Sequence, residues 1–349
     1  MPESSEHFPY IQEGQEARER EPVSVVNAFQ ERGLPSREDQ RVVEITGEQS
    51  VVEHLEPLQA QNAPNVLYGV PHGGELVPKE LHDRMTEEGR ETSVMIDLNT
   101  PDIFRSERIP SVETKISRYI VDPNRAPDFR PEEAFEPGKA PGKILWKTGA
   151  NMGPMYEREP SADEIQEYAK KFYLPYYNRM MGTVGTMLDR RASPSERVLI
   201  LDGHSFPVVE DLRKYYQHYG IDQPELLPMF ILGDRDGEGC DPDIMQRFRV
   251  GLERGFQELS EQDQALLQTS MKGPLVSQNE FLKGVHNISF WGAREQGANA
   301  IQIEMNESAY VDRQGSSWEK FTYNPQKITL MQRIIERASL EVNELLKRK

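Results

Sequence analysis

RVLILDGHS (residues 197–205) is the stretch on which the fold turns. Its four consecutive apolar residues, Val198 to Leu201, are too many for a half-exposed strand and too few for a helix. They read as a strand covered on both faces that ends in Asp-Gly-His. NVLYGV (65–70) reads the same way and runs into VPHGGELVPKEL (70–81), so His72 stands where a second buried strand stops. The two glycines behind it allow a sharp turn and a close backbone approach, Glu75 follows three positions on, and VPKELHDRM then has helical spacing. NAIQIEMNES (299–308) is a further apolar strand, interrupted by one carboxylate, Glu304.

Around these three the pattern alternates. RVVEIT (41–46) opens the ordered part, TSVMIDL (92–98) is expected as another strand, and TKISRYIVD (114–122) as one of alternating character. Residues 161–191 begin with a capping box, Ser161 with Glu164, and continue at helical spacing to a kink or break expected at Pro175. Residues 241–259 form a helix with Pro242 near its first position, and an amphipathic helix runs from Pro325. Strands alternating with helices give an α/β fold with a central mixed, largely parallel sheet flanked by helices. Residues 1–24 are polar and aperiodic and read as a mobile N-terminal tail. Residues 25–349 read as a single α/β domain with a Pro- and Gly-rich loop excursion at about 123–160.

The 349 residues carry 58 acidic against 41 basic side chains, a formal charge of −17. Such a balance argues against nucleic acid or an anionic membrane surface as the main partner. Cys240 is the single cysteine, which excludes an internal disulfide framework and suits a reducing compartment. No secretory h-region or membrane-length apolar stretch occurs, so the chain is read as cytoplasmic, with a small-molecule substrate. A homo-oligomer is compatible with all of this.

In an α/β sheet the carboxyl ends of parallel strands line the crevice where ligands bind. His72, Glu75 and His204 stand at two such ends, and two imidazoles with one carboxylate match the protein ligands of a catalytic zinc site, leaving a fourth position for water. A hydrolytic site also needs a group that takes a proton from water and passes it to the leaving amine, for which Glu304 is the candidate. Arg118 and Arg125, with Asn124 beside the second, supply the guanidinium and amide donors that bind carboxylates. His7, His54, His82 and His218 are weaker candidates, and a structural role is the favoured reading for His286. The run GDRDGEGCDPD (233–243) starts like a calcium loop but has Met245 where the closing glutamate belongs, and no P-loop, dinucleotide or nucleophile-elbow fingerprint is present.

VPHGGELVP, RYIVDPNRAPD, LILDGHSFP, FLKGVHNISFWG and NAIQIEMNESAYVD, in that order, resemble the N-formylglutamate amidohydrolase family from about residue 65 onward. The resemblance implies kinship in fold with zinc carboxypeptidases and aspartoacylases, and one Zn2+ held by His72, Glu75 and His204, with Asp97 as the alternative carboxylate. It also implies Glu304 as general base and acid, Arg118 at the oxyanion, and Asn124 and Arg125 on the substrate carboxylate. The reaction implied is removal of an N-formyl or N-acyl group from an acidic amino acid, giving formate and glutamate from N-formylglutamate. A carboxypeptidase-like zinc exopeptidase and a non-catalytic binding protein on the same fold are the alternatives.

Overall fold

The computed structural model describes residues 42–47, 51–57, 63–93, 96–126, 144–145, 153–208, 212–218, 220–269, 271–313 and 321–347. The expected tail over residues 1–24 and most of the expected excursion at 123–160 lie outside the described residues. In chain order the strands are β1 (Val42–Val43), β2 (Val52–Leu55), β3 (Val66–Val70), β4 (Val77–Pro78), β5 (Ser111–Thr114), β6 (Val198–Phe206), β7 (Phe230–Gly233), β8 (Val276–Gln278), β9 (Ala298–Asn306), β10 (Val311–Arg313) and β11 (Phe321–Tyr323). The helices used below are α1 (Ala162–Tyr168), α2 (Leu174–Asp189), α3 (Pro242–Gln257), α4 (His286–Trp291) and α5 (Pro325–Leu346). Among the described residues no helix is long and apolar enough to cross a membrane.

Seven strands form one mixed sheet in the order β2-β5-β3-β6-β9-β7-β8. Its members β5, β3, β6 and β9 are mutually parallel, while β2 runs antiparallel to β5, β7 antiparallel to β9, and β8 parallel to β7. The expected α/β architecture is therefore present, and its parallel strands end on one shared edge. Successive side chains alternate between faces. Tyr68 of β3 turns to one, where its hydroxyl donates to Ser339 of α5 at 3.0 Å, and a Cβ on Gly69 would meet the Tyr176 hydroxyl of α2 at 3.0 Å on the other. Helices cover both faces, which is why β3, β6 and β9 are buried along their whole length.

Each helix meets the sheet or its neighbour through residues set by its period. Ser161 and Glu164 close a reciprocal capping box at the start of α1. A π-helical turn over Ala169–Tyr173 then separates α1 from α2, with Pro175 in the first turn of α2, where its missing N–H costs nothing. On α3, Gly251 and Gly255 lie one turn apart. A Cβ on the first would reach the Ala338 Cα at 2.8 Å and on the second the Ile334 carbonyl oxygen at 3.1 Å, so the backbones of α3 and α5 touch where these side chains are missing.

Two expected strands take other forms. Residues 92 and 93 close the helix Glu87–Ser93, and residues 96–99 form a coil and turn in which Asn99 adopts the left-handed conformation (φ 57°). Of residues 114–122 only Thr114 belongs to a strand. Ile116 makes a single parallel bridge with Leu76 and residues 118–120 turn. In both segments a carboxylate, Asp97 or Asp122, is drawn inward by distant partners, and that bends the chain away from a ladder.

β5 buries Glu113, 3% exposed, with Ser111 Oγ donating to it at 3.1 Å and Arg105 at 3.8 Å. Burial, only partly offset by Arg105, pushes this carboxyl up to about 7 from its ordinary 4.5. A carboxyl raised in the folded state favours folding most below pH 4.5, and that contribution falls away as pH climbs to about 7. Glu113→Gln is accordingly expected to flatten the decline in stability between pH 5 and 8, read as the denaturant midpoint at each pH. An unchanged slope would mean that Glu113 is ionised in the fold throughout.

Candidate metal centre and active site

His72 leaves the carboxyl end of β3 on a turn that only small residues fit. A Cβ on Gly73 would lie 2.3 Å from Pro101 Cδ and one on Gly74 2.4 Å from the Ile116 carbonyl oxygen. Neither glycine has a positive φ, so what they supply is room. Gly74→Ala drives a methyl into backbone and is expected to cost about 1–3 kcal/mol of stability. A melting temperature within a degree of the parent would show that the turn can give.

After the turn Leu76 N–H donates to the Lys115 carbonyl at 2.8 Å and β4 follows. Asp97 comes in beside His72. Its N–H donates to the His72 carbonyl at 3.2 Å, and Thr100 Oγ1 donates to its own carbonyl at 2.9 Å. His204 projects from β6, with Asp202 two residues earlier on the same face, and its partner in the ladder is Glu304 of β9.

His72, Asp97 and His204 are all buried, and one ligand atom from each lies within 4.8 Å of the other two. The Nδ1 of His204 is 3.1 Å and the Nδ1 of His72 3.5 Å from the same Asp97 Oδ2. The opposite ring nitrogens face carboxylates, His72 Nε2 on Asp122 at 2.7 Å and His204 Nε2 on Asp202 at 2.9 Å. His72 Nδ1 is buried without a hydrogen-bond partner. An orphaned imidazole nitrogen, a second one aimed at the same carboxylate oxygen, and both far sides held by carboxylates make the arrangement that fixes tautomers for a cation. The donor set fits a divalent metal. Sequence reasoning placed Glu75 in this group; among the described residues the groups whose ligand atoms converge are His72, Asp97 and His204, and Glu75 is half-buried.

The surroundings are strongly charged. Burial works to raise Asp97, but the His72 charge, hydrogen bonds from both histidines and Arg118 win, and its carboxyl lies well below the ordinary range. Asp122 is held well below it by His72, Arg118 and Arg125 against the same cost of burial. Burial opposes the His204 imidazolium, yet Asp202, Asp97 and Glu304 outweigh it and its pKa rises well above 6.5. Burial pushes Glu304 up to about 8, with His204 and Arg118 pulling it down and Asp97 and Asp202 pushing it up. Glu304 is only 7% exposed, where simple alternation on a one-sided sheet would have put it in solvent, because both faces here are covered.

The remaining expected residues come together on the segment after β5. Arg118 donates to Asp97 Oδ1 at 3.2 Å and stands 3.5 Å from Asp122, while its Nε is buried and unpartnered. Arg125 Nε donates to Asp122 at 3.3 Å, and Asn124 Nδ2 lies 3.2 Å from His204 Nε2. Asp122 N–H donates to the Ile144 carbonyl at 2.6 Å, which ties part of the excursion to the site.

The sequence model of the N-formylglutamate amidohydrolase family matches residues 65–311, the span that carries every residue above. The chain belongs to this family. Its relatives include the N-formylglutamate deformylase of Pseudomonas putida, 26% identical over 281 residues that cover 76% of this chain and 90% of that one. The N-formylglutamate deformylase of Pseudomonas aeruginosa is 25% identical over 71% of this chain and 83% of that one. The crystal structure of N-formylglutamate amidohydrolase from Ralstonia eutropha JMP134 superposes with a TM-score of 0.65 at 22% identity, covering 86% of this chain and 99% of that one, which shows a shared fold.

Sequence reading did not single out Asp202, Asp122, Asn287 or Glu307. Asp202 was within reach, since a period of two puts it beside His204. Glu307 accepts from Ser205 Oγ at 3.0 Å and Leu98 N–H at 3.3 Å, and Tyr310 donates to the Leu98 carbonyl at 3.0 Å. The turn that follows β9 therefore clamps the loop that carries Asp97.

Proposed function

We propose that this family member is a metal-dependent amidohydrolase that removes a formyl, or other small acyl, group from the nitrogen of an acidic amino acid, with N-formyl-L-glutamate as the leading substrate. The observation that carries the reading is the convergence of two imidazole Nδ1 atoms on Asp97, each ring backed by its own carboxylate, beside a buried glutamate on the neighbouring strand. Family membership and the names of the Pseudomonas relatives support the substrate.

His72, Asp97 and His204 are the residues that would hold the ion, for which Zn2+ is the candidate. Bound there, it supplies a Lewis acid that polarises the acyl carbonyl and activates water near neutral pH. Glu304 takes the proton from that water and gives it to the leaving amine as the carbon–nitrogen bond breaks, so that water and N-formylglutamate become formate and glutamate. Arg118 faces the charge that develops on the acyl oxygen, and its occupancy by Asp97 and Asp122 holds the guanidinium in place. Arg125 and Asn124 hold the substrate carboxylate. Burial of all three converging groups keeps bulk water from competing for them.

The test is a panel of N-formyl amino acids set against peptides with free C-termini, using the zinc-loaded protein and measuring formate and free amine. Formate release greatest with N-formylglutamate or N-formylaspartate supports the reading. Release of C-terminal residues from peptides, with none from formyl amino acids, would replace it with an exopeptidase.

A further inference from the structure

Asn287, the second residue of α4, is fully buried and lies in the FLKGVHNISFWG segment, where it was assigned no role. Its backbone N–H donates to Asn124 Oδ1 at 3.1 Å, and its side-chain Nδ2 donates to Asp202 Oδ1 at 3.0 Å. Its own Oδ1 accepts from the Tyr177 hydroxyl at 3.2 Å. Asp202 Oδ2, in turn, holds His204 Nε2 at 2.9 Å. One residue thus joins the segment that carries Asn124 and Arg125 to the carboxylate behind a histidine of the metal-binding group.

These contacts settle which way two amides face. A backbone N–H can only donate, so the Asn124 atom against Asn287 is its oxygen and the Asn124 nitrogen is turned toward His204, 3.2 Å away. A histidine that gives Nδ1 to a metal carries its proton on Nε2, and Asp202 accepts the hydrogen bond from that N–H. Asn124 Nδ2 then has no acceptor on the ring, and its N–H groups are left for an oxygen brought by the substrate. The Asp202 carboxylate, which only accepts, fixes Asn287 likewise, with its nitrogen toward Asp202 and its oxygen toward the Tyr177 hydroxyl, which donates to it. Tyr177 is itself held by rings, stacked on Tyr173 at 4.6 Å and packed against Phe290 and Trp291 at 5.4 Å each. Tyr173 anchors the same segment from its other side, donating to the Arg125 carbonyl at 2.8 Å.

We infer that Asn287 is a positioning residue that sets both halves of the site: it aims the Asp202 carboxylate at His204 and the Asn124 amide at the substrate. This rests on the metal-dependent reading above. The test is a competition between the full chain and a chelating dye for Zn2+ or Co2+ near neutral pH, using the parent, Asn287→Ala and Tyr177→Phe. Asn287→Ala is expected to weaken metal binding about 10–100-fold. Tyr177→Phe keeps the ring stack but removes the donor that holds Asn287 Oδ1, loosening the amide against Asp202, and is expected to weaken binding severalfold. Both variants keep the Asn287 backbone N–H that orients Asn124, so with metal saturating KM for N-formylglutamate should stay within about threefold of the parent, a split that general damage to the site would not give. If Asn287→Ala does not fold, Tyr177→Phe decides alone. Parent-like metal affinity in the folded variants, or a KM raised in step with the loss of affinity, overturns the positioning role and leaves the metal site standing. Failure of the parent itself to bind metal overturns the metal-dependent reading, and this role with it.

Discussion

Glu304→Gln is expected to leave the metal content of the chain unchanged and to cut turnover by about 10²–10⁴-fold, the range that a positioned acid–base group supplies. The amide keeps the size of the acid and can still meet Gln302, which donates to Glu304 Oε1 at 2.8 Å, so the β9 ladder should survive. What it loses is the ability to carry a proton. Burial places the Glu304 pKa at about 8, and a nearby cation lowers it, so metal loading and a rise in pH both favour the ionised carboxylate. Formate release at saturating substrate, beside metal analysis of the same preparation, checks the prediction. Turnover within threefold of the parent would remove Glu304 from the mechanism.

His204→Ala has the second large expected effect, the loss of nearly all bound metal and of activity with it. The imidazole is 2% exposed and has Asp97 on one side and Asp202 on the other. Removing it leaves two buried carboxylates facing a hole, an arrangement that costs stability as well as affinity. His72→Ala is expected to empty the site as well, and Asp122 would then lose its imidazole partner. Metal content measured on folded variants, confirmed by circular dichroism, reads the outcome. Roughly one ion per chain in the parent and in both variants would place the metal elsewhere.

The legible parts of this molecule were those whose signal is local. The apolar run of β6, the Ser161 capping box and the proline opening α3 each specify an element from a few adjacent residues, and each element forms there. β5 escaped notice because its sequence, SVET, buries a glutamate and a serine that no strand pattern announces. The segments around Asp97 and Asp122 read as strands because their apolar residues are real core residues, Leu98, Ile116, Ile120 and Val121 among them. Their backbones are bent by partners 25 or more residues away: Asp122 meets His72 across 50 positions, and Asp97 meets His204 across 107. The same distance hid Asn287, which reaches Asp202 across 85 positions. His72 and His204 were legible as strand-end histidines, whereas the choice between Glu75 and Asp97 depended on where a glycine turn sends the chain.

The strand order has a consequence for how the molecule comes into being. β6 is seated between β3, which lies far behind it in the chain, and β9, which has yet to be made when β6 leaves the ribosome. A nascent chain that has emerged only through β6 holds all three candidate ligands but lacks the strand that walls one side of β6, along with Glu304, Glu307 and the Tyr310 hydroxyl that steady the Asp97 loop. Parallel pairings of such separation form late and slowly. On the metal-dependent reading proposed above, ion capture belongs to the last stage of folding, and a metal that binds only the finished site would draw the final docking of β9 forward by mass action.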